Sequence, residues 1–191
     1  DCASMKVVSK AILLLLLSVV SSLSLAAQTD SLPPDWELRK TIESWAAQIR
    51  RYEGVLDQLQ PKAWVENGAP EAYIAQWKSS RDELTYFLQT SEKLARDPER
   101  LTLAIEAYFR LDSLTDRLLS LTEGVRRYQN PAIGDLLQSL VNENTAVRDQ
   151  VQQYMTTLAS AREKEFEIID REAQRCRASL ISQPAGKAVR K

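Results

Sequence analysis

Residues 35–60 read DWELRKTIESWAAQIRRYEGVLDQLQ, and a proline follows at position 61. The apolar residues of this stretch recur at alternating spacings of four and three: Leu38, Ile42, Trp45, Ile49, Tyr52, Leu56 and Leu59. This spacing places them in one continuous seam on one face of an α-helix, as in a coiled coil. Because proline cannot donate to the helical hydrogen-bond ladder, we predict a first helix from Asp35 to Gln60 that stops at Pro61.

The next stretch predicts a loop and a second helix. Residues 62–69 contain Asn67-Gly68, which is a turn signal, and helical spacing resumes over residues 70–96. Trp64 lies in the loop, where no periodicity indicates which face it occupies. We expect Trp64 to plug the end of a helical bundle; the alternative is a contact with a ligand or partner.

Two further helices are predicted from a repeated arrangement of a polar residue followed by proline. Asp97 precedes Pro98, and Asn130 precedes Pro131. Asp and Asn accept hydrogen bonds from free amide groups at a helix start, and proline fits the first helical position. We therefore predict a third helix that begins at Pro98 and ends near Tyr128, and a fourth helix over residues 131–182.

These helices predict an all-α fold, an up-down antiparallel bundle of about four helices, because short connections make neighbouring helices antiparallel. The fourth helix would be an extended, coiled-coil-like C-terminal helix of about 75 Å, much longer than its partners. Its apolar spacing changes at Leu158, Arg162 and Phe166, which are four residues apart. We expect that the helix projects as an arm, breaks near this change, or is covered by another chain.

The first 26 residues have the three-part pattern of a cleavable signal peptide. Lys6 and Lys10 precede an apolar stretch at residues 11–20, and small residues lead to Ala26, after which we expect cleavage, with Ala27 as the second choice. The apolar stretch is shorter than the roughly 20 residues of a membrane span. An uncleaved anchor is therefore the weaker alternative, and we expect an exported protein, periplasmic or secreted.

The remaining termini lie outside the predicted bundle, which covers residues 35–182. We expect residues 1–4 to precede the native start at Met5, residues 27–34 to form a linker, and residues 183–191 to form a disordered basic tail. No cysteine lies at the expected cleavage point, so we expect no lipid anchor.

The composition argues against most catalytic and metal-binding chemistry. The chain has no histidine, which removes the commonest general base and the usual zinc and haem ligands. No glycine-rich phosphate loop is present. A formal net charge of −1 does not suit a nucleic-acid binder, which needs a basic face. We therefore expect no cofactor, no metal, no catalytic residue and no nucleic-acid partner.

Two polar features of the fourth helix have competing interpretations. The carboxylates Glu163, Glu165, Glu167 and Asp170 form a cluster that would suit a hard cation, but we interpret it as a solvated helix surface with local ion pairs. Asn144 falls on the apolar seam. A seam asparagine typically fixes register or oligomeric state, and we favour that role over binding a ligand.

A second apolar set continues the fourth helix beyond the change of spacing and is our candidate partner-binding surface. It consists of Phe166, Ile169, Ala173, Cys176 and Leu180, and we expect Arg171, Arg175 and Arg177 at its rim. Cys176 would be the only cysteine of the mature chain. It is either a small apolar filler, an intermolecular disulfide, or a reactive thiolate beside arginines.

Together these features predict an exported, non-catalytic helical-bundle protein that acts through protein–protein interaction in the cell envelope or outside the cell. The partner would be another protein or a second copy in a homodimer. One alternative is a periplasmic chaperone-like holdase with an apolar bundle face. Another is an all-helical enzyme, which would need polar residues to recur on the inward seams.

Overall fold

The computed structural model describes residues 32–182, and this part of the chain is helical, without a strand. The five helices are α1 (Asp35–Leu56), α2 (Pro61–Glu66), α3 (Ala72–Arg96), α4 (Leu101–Tyr128) and α5 (Pro131–Ser182). The predicted signal peptide, the first residues of the predicted linker and the predicted basic tail lie outside the described residues.

The four long helices form the predicted up-down antiparallel bundle. Helix α1 packs against α3 and α5, and α4 packs against α3 and α5. Bonds between neighbours fix the antiparallel directions: Trp45 Nε1 donates to Gln150 Oε1 at 2.8 Å, and Arg39 Nε donates to the Ala95 carbonyl at 3.1 Å. Tyr52 adds a buried bond from its hydroxyl to the Leu140 carbonyl.

The predicted seam of the first helix is buried throughout, although α1 itself ends before its last residue, Leu59. Each of its seven apolar residues is buried, from Leu38 to Leu59. On α5 the corresponding seam is buried from Leu137 as far as Leu158. Burying a large aliphatic or aromatic side chain is worth about 1.5–3 kcal/mol, so these two seams supply a large part of the driving force for folding.

The prediction of a loop over residues 62–69 is wrong in its first half, where Pro61–Glu66 is a short helix. Pro61 occupies its first turn and starts this helix, whereas α1 already ends at Leu56 and not at the predicted Gln60. Trp64 is buried, as expected for a plug, and its Nε1 donates to Gln129 Oε1 at 3.0 Å. The predicted turn follows, with Gly68 at φ 91°, a conformation that favours glycine.

The start of the third helix is also corrected. Helix α4 begins at Leu101, its N-cap is Arg100, and no side chain caps it. The segment at Pro98 stays outside the helix, and the Pro98 carbonyl accepts a hydrogen bond from the Tyr154 hydroxyl of α5. This contact spans 56 residues of sequence, so local capping preferences do not reveal it.

Helix α5 starts as predicted and is continuous. The Asn130 side chain accepts a hydrogen bond from the Ala132 amide at 2.8 Å, which is the expected cap ahead of Pro131. The helix has 52 residues, a length of about 78 Å, against 22–28 residues for the other long helices. It does not break at the change of apolar spacing but extends beyond the other helices.

Candidate functional site

The candidate site is the part of α5 that extends beyond the bundle, residues 163–182, which we call the arm. Every arm residue whose side chain the structure describes is exposed. The large apolar side chains are exposed over more than half of their surface: Phe166 is 70% exposed, Ile169 58% and Leu180 69%. Burying each of these side chains would contribute roughly 1–2 kcal/mol of favourable free energy, so covering the arm would be favourable.

The exposed apolar residues are aligned along the arm. We call Phe166, Ile169, Ala173, Cys176 and Leu180 the stripe; their spacings of three, four, three and four are those of heptad positions a and d. Because α5 is continuous, Phe166 lies about 80° around the helix from the last buried seam residue, Leu158. The stripe is therefore a second seam, offset from the one that the bundle covers.

Charged residues flank the stripe unequally. On a regular helix, Arg177 is at the rim, whereas Arg171 and Arg175 lie on the opposite face. The other rim charges are acidic and include Asp170 and Glu172. Along the arm, residues 163–172 carry five acidic and two basic side chains, and residues 173–182 carry two arginines and no acid.

The arm joins the bundle at a fixed point. Arg162 donates to the Glu99 carboxylate at 2.5 Å and to Glu165 at 2.6 Å, and these two hydrogen bonds raise the pKa of its guanidinium. Next to it is a notch of about 410 Å³ that we call the root notch. It is lined by Leu101, Ala159, Arg162, Glu163, Phe166 and Glu167.

The cysteine of the stripe is exposed, and nothing in the described residues pairs with it. Cys176 lies three residues after Ala173 and belongs to the same stripe. The side-chain hydroxyl of Ser179 and the carbonyl of Cys176 are joined by a local hydrogen bond of 2.8 Å.

The core of the bundle also contains a few buried polar side chains. Within residues 32–182, no group of three or more His, Cys, Asp or Glu side chains is arranged to hold a metal ion. Ser80 and Thr122 are buried, but their hydroxyls donate to carbonyls four residues earlier in the same helix. Asn144 is 5% exposed, and its Nδ2 makes no hydrogen bond of good geometry, although its amide interacts with the Tyr52 hydroxyl.

Sequence patterns did not reveal a second exposed apolar patch on the bundle itself. Phe109 is 62% exposed, and Ile105 lies one turn away on α4 at 37%. Arg110 stacks over the half-exposed ring of Tyr86 beside them, 5.0 Å from its centroid. The pattern that could have indicated this patch is the Ile-x-x-x-Phe spacing on the face of α4 opposite its buried seam.

None of the helices within residues 32–182 is both long and apolar enough to cross a membrane. No protein-family model matches the chain, and no curated protein and no solved structure is significantly similar to it. Function therefore has to be inferred from the side chains and their arrangement.

Proposed function

We propose that this chain is an exported, non-catalytic helical-bundle protein that acts by binding another protein through the arm, in the cell envelope or outside the cell. The observation that carries the proposal is the stripe: an exposed apolar heptad seam on a helix that leaves its own bundle. Isolated exposed apolar residues are ordinary on protein surfaces, but five in heptad register form a surface suited to a partner helix.

The binding proposal is tested by changing the stripe without touching the bundle. Replacing Phe166, Ile169 and Leu180 with serine removes the large stripe residues. Because all three are exposed, the stability of the bundle should not change. The matched control is Phe109→Ser, which removes an equally exposed aromatic residue from α4. The partner should be captured from the native envelope fraction by the wild type and by the control, but not by the triple variant.

Equal, saturable capture by all three proteins would refute the arm as the binding surface. The bundle's integrity is checked in parallel by the denaturation midpoint, which separates lost binding from lost folding.

Export is a separate part of the proposal and rests on the sequence of residues 1–26. The mature protein recovered from its native cell should begin at Ala27, the residue after the expected cleavage point. Mass spectrometry of the intact protein measures this directly. A chain that still carries residues 11–20 in its native location would contradict it.

A holdase is the second candidate function, and the patch around Phe109 favours it because such proteins bind unfolded chains through exposed apolar surface. A holdase would suppress the aggregation of several unrelated unfolded proteins, and Phe109→Ser would weaken this. The arm proposal instead expects one saturable partner and no effect of Phe109→Ser.

A further inference from the structure

We propose that the partner of the stripe is a second copy of this chain, bound with the two arms antiparallel. The inference rests on the proposed function, since it names what the arm binds. It is carried by three properties of the arm: the order of large and small residues in the stripe, the reversal of charge along the arm, and the root notch.

The stripe residues complement themselves when one arm is reversed. In an antiparallel pair, each a position packs against a d position of the other helix. One register places Phe166 opposite Cys176 of the second copy and Ile169 opposite Ala173, and each pair occurs twice by symmetry. Each of these layers then contains one large and one small side chain, which fills space evenly.

Other arrangements of the same stripe pack less well. A parallel pair would place Phe166 against Phe166 and Ala173 against Ala173, which crowds one layer and leaves a void in another. Shifting the antiparallel register by one heptad pairs Ile169 with Leu180 and Ala173 with Cys176. One layer then contains two large side chains and another contains two small ones. The favoured register also overlaps the arms over their whole length.

The same register also places acidic residues of one arm beside basic residues of the other. The acidic half of one arm, residues 163–172, lies beside the basic half of the other, residues 173–182. At the rim, Arg177 of one copy lies between Glu163 and Asp170 of the other. Near the two-fold axis, Asp170 lies beside Asp170 of the other copy, and Glu172 lies beside Glu172. These like charges repel, which opposes association and limits the affinity.

The root notch receives the tip of the second arm. In this register Leu180 of one copy lies opposite Arg162 of the other, at the notch lined by Ala159 and Phe166. The most exposed residue at the tip, Ile181, is next to it at 86% exposure. Two arms of about 30 Å form a small interface, below the roughly 1,200–2,000 Å² of stable complexes, so we expect weak, concentration-dependent dimers.

Thiol cross-linking of the chain with Cys2 replaced by serine, which leaves Cys176 as its one native thiol, tests the register. Phe166→Cys places a second thiol opposite the native Cys176 of the other copy, while the two native thiols stay about 15 Å apart and cannot bond. Mild oxidation should give a disulfide-linked dimer, and peptide mass spectrometry should join position 166 to Cys176. The matched control, Ile168→Cys, puts the thiol on the outer face, away from the root notch, and should give no such dimer.

Two results would overturn the inference. Disulfides between Cys176 and Cys176, in the wild type or the variant, would show a parallel pair, and the proposed function would stand with a different geometry. A wild-type chain that sediments as a monomer at all accessible concentrations, with no cross-link in Phe166→Cys, would exclude a second copy as the partner. The capture experiment with the triple serine variant is independent of both results, so it separately decides whether the arm binds another protein.

Discussion

Replacing Asn144 with leucine gives a quantitative test of the core of the bundle. Asn144 is 5% exposed and its Nδ2 makes no hydrogen bond of good geometry, although its amide interacts with the Tyr52 hydroxyl. A buried donor without a partner costs about 1–3 kcal/mol, and leucine has nearly the same branched shape, so it fills the site without overpacking. We therefore expect Asn144→Leu to raise the free energy of unfolding by about 1–3 kcal/mol.

Urea denaturation followed by far-ultraviolet circular dichroism measures this change, and a thermal scan should show a rise of roughly 2–4 °C for each kcal/mol. The matched control is Asn142→Leu, an exposed asparagine half a turn away, which should change stability by less than about 0.5 kcal/mol. An Asn144→Leu variant that is equally or less stable than the wild type would refute the reasoning, because the amide would then have a stabilising partner. Sedimentation of the same variant tests whether Asn144 fixes register, since a loss of register would give several species.

Two further predictions concern polar groups that hold the bundle together. Burial raises the pKa of Tyr52 from 10.0 to about 12, so its stabilising effect is complete below pH 10 and is lost as the pH rises to about 12. Across this window the wild type should lose about 2–3 kcal/mol more than Tyr52→Phe, and equal losses in alkaline urea titrations would contradict this. Gln129→Ala should cost about 1–3 kcal/mol because Gln129 accepts bonds from the Trp64 indole and the Gln60 amide. Gln152→Ala is the exposed control for the same denaturation measurement, and the prediction fails if both variants lose equally little stability.

Sequence periodicity predicted those features of the fold that arise from one helix at a time. The alternating spacing of α1 identified its buried face, and the Asn130-Pro131 pair identified the start of α5, because both effects act within a few residues. Comparing helix lengths gave the projection of α5 as one of three alternatives, beside a break in the helix and coverage by another chain.

The features that sequence did not predict depend on contacts between distant parts of the chain. Helix α2 forms where Trp64 reaches Gln129, 65 residues away, and the segment before α4 bonds to Tyr154 of α5 through Pro98. Gln129 itself has no sequence signature, since a glutamine after a helix is common. In the candidate site, periodicity predicted the stripe, but the root notch required the position of Leu101 on a neighbouring helix.

The continuity of α5 determines how the arm becomes ordered. An isolated helix of about 20 residues is marginal in water because its first turn is costly to nucleate. Here the buried part of α5, which ends near Leu158, is already helical, so the arm only has to propagate a helix that the bundle has nucleated. A partner therefore meets a preformed surface and needs to supply little ordering free energy. Amide hydrogen exchange should accordingly speed up gradually from Leu158 towards Ser182, with no abrupt boundary at Arg162.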